Sequence, residues 1–263
     1  MTADDDARKR RLEMTVAGLQ ARYGPRALRR LRPQTQAIPH VSTRFPPLDQ
    51  ALGSGGLSRG HITELVSVPS AGTTTLALNV VAQAQTEGLA VYLDIDQNFD
   101  PPYAAQLGVD LDRLVLIEPG SWREACAIMR DFVLAGHSSI LVFDAPAHLF
   151  LRSHGHTESR QARTLAATLD RLISPLSQTR CVLLFLVTFM PGTAPLPSGQ
   201  AIHAALSHYA AVRLVVYRLR WLYGQRDIRG YEAKVYIAKN KLAASAGPVS
   251  LAMTLAGAAG NGP

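Results

Sequence analysis

Ser67-Val68-Pro69-Ser70-Ala71-Gly72-Thr73-Thr74 lies between an apolar run of strand character and a run with helical periodicity. At such a junction the pattern G-x-x-x-x-G-K-[ST] builds a phosphate-binding loop. Backbone N–H groups cradle phosphates, the lysine reaches the terminal phosphates, and the hydroxyl holds Mg²⁺. Here Ser67 stands at the first glycine and Thr73 at the lysine, while Gly72 and the hydroxyl position Thr74 are kept, with Thr75 behind them. No lysine occurs between Lys9 and Lys234, so no other lysine of the core supplies that ammonium. The expectation is a nucleotide-handling fold whose counter-charge has been altered.

The elements that must position this loop follow from the pattern of the chain. Strands are expected at His61 to Val68, Leu89 to Asp96, Arg113 to Glu118, Ser139 to Asp144 and Cys181 to Phe189. Helices are expected at Thr73 to Thr86, from Pro102, at Ser121 to Ala135 and at Glu158 to Leu176. Nearly all-apolar strands alternating with helices mean a parallel sheet covered on both faces. Ser121 and Glu124 form a capping box at one helix start. Beyond Gly199 a helix to about Tyr209 precedes Val212 to Tyr223, Tyr231 to Lys241 and Val249 to Leu255. These read as antiparallel strands extending the sheet, the first two joined as a hairpin.

At 263 residues and 47% apolar content, the chain suits one large α/β domain with a small appendage. Its organisation is expected as a basic amphipathic helix and arm over residues 1–33, a linker over 34–47, the core over 48–255 and a disordered tail over 256–263. Leu12, Val16, Leu19 and Tyr23 recur at helical spacing before Gly24-Pro25 ends the helix. Cys126 and Cys181 cannot build a disulfide framework and sit in apolar segments, which fits a reducing cytoplasm. The start carries no secretory signal, and the longest apolar run, Cys181 to Met190, is too short to cross a bilayer. Nine basic residues face four acidic ones up to Pro33, and eight face two from Ala201 onward, while the stretch between is net acidic. Basic ends of this kind suit a polyanion or an acidic partner surface, or are simply solvated arginines.

Val41-Ser42-Thr43, Leu48-Asp49-Gln50-Ala51-Leu52-Gly53-Ser54-Gly55-Gly56-Leu57 and Gly60-His61-Ile62-Thr63-Glu64 precede the loop. Asp100-Pro101-Pro102-Tyr103-Ala104, Leu107-Gly108-Val109-Asp110, Ala211-Val212-Arg213-Leu214 and Lys239-Asn240-Lys241-Leu242-Ala243-Ala244 follow it. With Ser70-Ala71-Gly72-Thr73-Thr74-Thr75-Leu76 these segments, in order over roughly Leu12 to Leu255, resemble the RecA recombinase family. The resemblance implies a RecA-like α/β core, a mostly parallel sheet with helices on both faces and antiparallel strands added at the C-terminal end. It also implies ATP and Mg²⁺ as ligands. Residues 67–75 would cradle the phosphates, Thr74 and Asp144 would hold Mg²⁺, and Asp144 would orient a magnesium-bound water; an ordinary strand-end aspartate is the other reading. Asp96 stands at the family's water-activating glutamate, one methylene shorter. Tyr103 matches the aromatic that stacks on adenine, or is a plain surface or core tyrosine. Lys239 and Lys241 match the pair that reaches a neighbouring subunit's nucleotide, and Thr188 stands at the glutamine sensor.

The two segments that line DNA in the family fall at 152–157 and 190–199, giving Arg152, His154, His156, Thr193 and Ser198, with Arg160 and Arg163 nearby, as candidate DNA contacts. The second segment carries no charge, so its phosphate contacts reduce to backbone groups, Thr193 and Ser198. The two histidines lack the Cys or acid cluster that would complete a metal site and read as exposed loop residues. The functional expectation is a DNA repair and recombination protein that binds single-stranded DNA, holds ATP with little or no hydrolysis, and self-associates through its N-terminal helix. The alternative is an ImuA-type accessory protein docked on an error-prone translesion polymerase in the DNA-damage (SOS) response. A third expectation, an active recombinase using Lys239 or Lys241 in trans, follows from lysine's movable point charge.

Overall fold

The computed structural model describes residues 3–24, 38–146, 155–188, 200–224, 227–254 and 257–258. Two compact units divide the chain, Met1–Ala37 and Ile38–Pro263. The first contributes helix α1 (Ala3–Tyr23), which begins well before the first residue of the apolar periodicity, Leu12. Asp6 falls in its first turn, where an acidic residue suits the positive end of the helix dipole. Leu12, Met14 and Tyr23 are well exposed on it.

The second unit begins with β1 (His40–Val41), α2 (Pro46–Leu52), β2 (Leu57–Ser58) and β3 (Ile62–Ser67). The chain then runs through α3 (Thr73–Ala84), β4 (Leu89–Asp94), α4 (Pro101–Gln106), a single 3₁₀ turn at Leu111–Arg113 and β5 (Leu114–Ile117). Next come α5 (Trp122–Ala135), β6 (Ser138–Pro146), α6 (Gly155–Ser177), β7 (Val182–Thr188) and α7 (Gln200–Tyr209). It finishes with β8 (Val212–Tyr223), β9 (Ile228–Asn240), β10 (Val249–Thr254) and β11 (Gly257–Ala258). Residues 38–47, linker on the sequence reading, are built into this unit: β1 pairs with β2, and Val41, Thr43 and Phe45 are buried. Gly257–Ala258 pairs with β10, so strand pairing continues past Thr254.

One sheet of nine strands, ordered β11-β10-β9-β8-β3-β7-β6-β4-β5, organises the unit. The six strands from β8 to β5 are parallel, and β9, β10 and β11 add antiparallel pairs at the C-terminal end. β8 therefore pairs parallel to β3 on one side and forms the expected hairpin with β9 on the other. Alternation sends Leu65, Tyr92, Val142, Leu184 and Leu214 to a core shared with α2, α3 and α4. Val66, Leu93, Phe143 and Phe185 face a second core closed by α5, α6 and α7. Cys126 and Cys181 are free thiols buried in that second core. Glu64, fully buried on β3, is bound by Arg213 Nε at 2.7 Å and His203 Nδ1 at 2.8 Å, which ties α7 and β8 to the strand feeding the loop. Among the described residues no helix is long and apolar enough to cross a membrane.

Candidate phosphate-binding site

β3 delivers the chain to Ser67, whose sheet neighbours are Thr188 on β7 and Val216 on β8. The chain then turns into α3 with Gly72 at φ 101 as its N-cap. A Cβ at Gly72 would lie 2.5 Å from the Tyr231 hydroxyl and 2.7 Å from the Met253 sulfur, so β9 and β10 press on the loop where only glycine fits. Thr73 is buried, and its hydroxyl donates to the hydroxyl of Ser67. The two positions that depart from the phosphate-loop pattern are thus bonded to each other. Thr74 is exposed at the first turn of α3, and Thr75 Oγ1 lies 2.7 Å from the Tyr103 hydroxyl and 2.9 Å from that of Tyr231.

A pocket of about 240 Å³ opens over this loop. It gathers Ser67, Val68, Ser70, Ala71, Gly72, Thr73, Thr74 and Thr75 with Tyr103 and Thr188, as the sequence grouped them; Pro69 is exposed on the loop but outside the pocket wall. Three wall residues escaped the sequence reading: Arg218, Trp221 and Tyr231. The only hint of them was length, since the run Val212 to Tyr223 outlasts the six-residue strand it pairs with. The first turn of α3 brings unpaired backbone N–H groups and the positive end of its dipole to the same hollow, an arrangement that favours an anion.

Two and three strands over from β3, Asp144 and Asp94 stand opposite each other on β6 and β4. Tyr92 donates its hydroxyl to Asp144 Oδ2 at 2.6 Å, and Phe99 N donates to Asp94 Oδ2 at 2.6 Å. Burial pushes the Asp144 carboxyl up to about 7; the Tyr92 bond opposes this, and the Asp94 and Asp96 charges add to it. Asp96 is half-buried just past β4. A carboxylate crowded by others is stabilised by a cation. Mg²⁺ asks for only one or two carboxylates beside waters and phosphates; Thr74 lines the loop pocket and Asp144 does not. A group of three His, Cys, Asp or Glu able to hold a metal unaided is absent among the described residues.

Lys239 and Lys241 lie elsewhere. Lys239 pairs with Arg213, and Lys241 N donates to Ala211 O, where the parallel strands begin. Along the strand direction that puts Lys239 roughly 10 Å back from the level of Ser67 and Lys241 farther still, at 3.3 Å per strand residue. Lys239 Nζ donates to Ser207 O at 2.6 Å, and partial burial, then Lys241, pull its ammonium below the usual lysine range. Neither lysine lines its own chain's loop pocket. Of the candidate DNA contacts, Arg152, His154, Thr193 and Ser198 lie outside the described residues, and of His156 only its place on α6 is described. Arg160 and Arg163 are exposed on α6. Arg160 shares a groove of about 610 Å³ between α5 and α6 with Arg123, Arg130 and Arg171.

A family model described as the RecA N-terminal domain matches residues 10–257. The chain belongs to the RecA family. Among RecA-family relatives, Protein RecA of Chlorobaculum tepidum is 34% identical over 255 residues, which cover 91% of this chain and 72% of the relative. Protein RecA of Paenarthrobacter aurescens is 35% identical over 257 residues, with 92% and 73% covered. For Protein RecA of Streptomyces venezuelae the identity is 34% over 250 residues, with 90% and 65% covered. The parallel sheet with antiparallel strands at its C-terminal end is the RecA-like core that the sequence implied.

Proposed function

We propose that the protein is a RecA-like DNA repair and recombination protein that binds single-stranded DNA and holds ATP with little or no hydrolysis. The observation that carries this reading is the Thr73–Ser67 hydrogen bond inside an otherwise formed phosphate loop. The loop keeps its glycine, its hydroxyl at Thr74 and the helix N-terminus behind them, which suffice to bind and orient phosphates. Mg²⁺ held by Thr74 and Asp144 would neutralise charge on the phosphates. What the loop lacks is the lysine that meets charge developing on the transferred group, and electrostatic stabilisation is nearly all a protein contributes to phosphoryl transfer. Asp96, shorter than glutamate by a methylene, would reach less far toward an attacking water. Turnover is therefore expected to fall by orders of magnitude while binding persists.

Exposed Arg160 and Arg163, with the arginine groove beside them, support a DNA phosphate role. Fluorescence anisotropy on single-stranded DNA across a salt series, with and without ATP and Mg²⁺, tests both halves. Affinity should fall steeply with salt; a flat response removes the DNA role, and brisk DNA-stimulated ATP hydrolysis removes the degenerate-motor reading.

The ImuA-type reading is favoured by one observation, the exposed Leu12, Met14 and Tyr23 of α1, apolar side chains suited to a protein partner. Light scattering of the chain lacking residues 1–33 separates the two. A fall in the number of associated copies assigns the helix to self-association; an unchanged number argues against self-association through it and favours the partner-protein reading.

A further inference from the structure

We infer that Arg218 on β8 is a binding counter-cation for the terminal phosphate of a nucleoside triphosphate, adding ground-state affinity from the strand side of the pocket and not the transition-state charge that a loop lysine at position 73 would supply. This rests on the nucleotide reading of the loop pocket. Ser67, the last residue of β3, pairs with Val216, so Arg218 stands two residues, about 7 Å, farther along the sheet, level with the loop that leaves β3. By strand alternation it shares a face with Leu214 and Val216, both of the first core, and that is the face on which α3 and the loop lie.

A bulge fixes what stands beside it. Arg218 pairs with Ala233 and Arg220 with Glu232, so Leu219 is an extra residue on β8. Residues three apart on a regular strand point to opposite faces, yet Arg218 and Trp221 line the same pocket because the extra residue restores their parity. The Arg218 guanidinium then lies over the Trp221 indole, 4.3 Å from the ring centroid, and Trp221 meets Tyr231 edge-on at 5.9 Å. Stacking limits the rotamers of the arginine before any ligand arrives, and the indole leaves the fork of N–H donors free for an oxyanion.

Its charge is otherwise unmatched. Glu232, the acid on the partner strand, is held by Arg220 Nε at 2.7 Å, and no carboxylate forms an ion pair with Arg218 among the described residues. An arginine without a counter-ion, stacked in place at the wall of a hollow that already presents a helix N-terminus and no lysine, matches a polyphosphate in charge and geometry.

The test is calorimetric titration of Mg·ATP and Mg·ADP into the full chain and into Arg218→Ala, Arg218→Lys and Trp221→Ala, with thermal melts to confirm folding. Arg218→Ala should weaken ATP binding roughly 10- to 100-fold, the range expected for hydrogen bonds to a charged group. ADP should be affected less, because the missing phosphate is the one engaged. Arg218→Lys should recover only part of the loss, since an ammonium is neither bidentate nor held by stacking, and Trp221→Ala should give an intermediate loss. If Arg218→Ala, folded, binds ATP within about threefold of the unaltered chain, this inference is overturned while the nucleotide reading stands. If the unaltered chain binds neither nucleotide, both fall.

Discussion

The hydroxyl of Thr73 is bonded to the hydroxyl of Ser67, six residues away on the other side of the loop, and both residues are buried. Each satisfies a polar group that the other would leave stranded, so the two departures from the phosphate-loop pattern act as one structural unit. Thr73→Val should lower stability by about 1–2 kcal/mol, the cost of a buried hydroxyl losing its partner. Ser67→Ala together with Thr73→Val should cost less than the sum of the single changes. Urea unfolding of the four proteins measures the coupling; strict additivity would mean the bond contributes nothing.

Asp144 makes stability depend on pH. Its folded carboxyl titrates near 7 against 3.8 for the ordinary group, with burial the main cause. Between those values the folded chain holds more protons than the unfolded one, so stability falls as pH rises from about 4 to 7 and this contribution levels off above. Asp144→Asn should flatten that slope and stabilise the chain by a few kcal/mol at pH 7.5, because each tenfold difference in proton affinity between folded and unfolded chain is worth about 1.4 kcal/mol. Unfolding curves at pH 5 and 7.5 in EDTA decide it; parallel pH dependence in both proteins contradicts the assignment.

Glu64 is fully buried, with Arg213 and His203 on its two oxygens. Removing one partner leaves a buried charge uncompensated, at a cost of about 3–5 kcal/mol. Arg213→Met should show a loss of that size by chemical denaturation, and Glu64→Gln with Arg213→Met should recover much of it. A loss under about 1 kcal/mol would show that His203 alone suffices.

Gly72 combines a left-handed backbone with the Tyr231 hydroxyl and Met253 sulfur crowding the position a Cβ would take. Gly72→Ala should cost about 1–3 kcal/mol from strain and displacement of those side chains. Pairing it with Met253→Ala, which opens space beside the new methyl, should recover part of the contact cost. A melting temperature unchanged from the parent would refute the contact.

Much of this arrangement was legible in the sequence because its strands are apolar on both faces and its helices carry clear punctuation. Ser121 does accept from Glu124 N, as the S-x-x-E pattern indicated, and β3, β4, β6 and β7 fall within two residues of the apolar runs that marked them. Short elements were invisible: β1 and β2 have two residues each and are held by a register that no periodicity records. The Thr73–Ser67 bond was also hidden, because the motif shows which groups are missing and not where their replacements turn. Arg218 was missed for a related reason. Within Arg218-Leu219-Arg220-Trp221 strict alternation separates the arginine from the tryptophan, and only the pairing with β9 reveals the extra residue between them.

The bulge at Leu219 makes one wall of the pocket a matter of counting. Half-exposed Leu219 looks like a position that could be trimmed, but deleting it would exchange the two sides of the strand beyond, sending the indole away from the loop and bringing a neighbour inward. Among relatives that carry an arginine in this strand, the number of residues separating it from the next aromatic sorts those able to pair the two side chains from those that merely possess them.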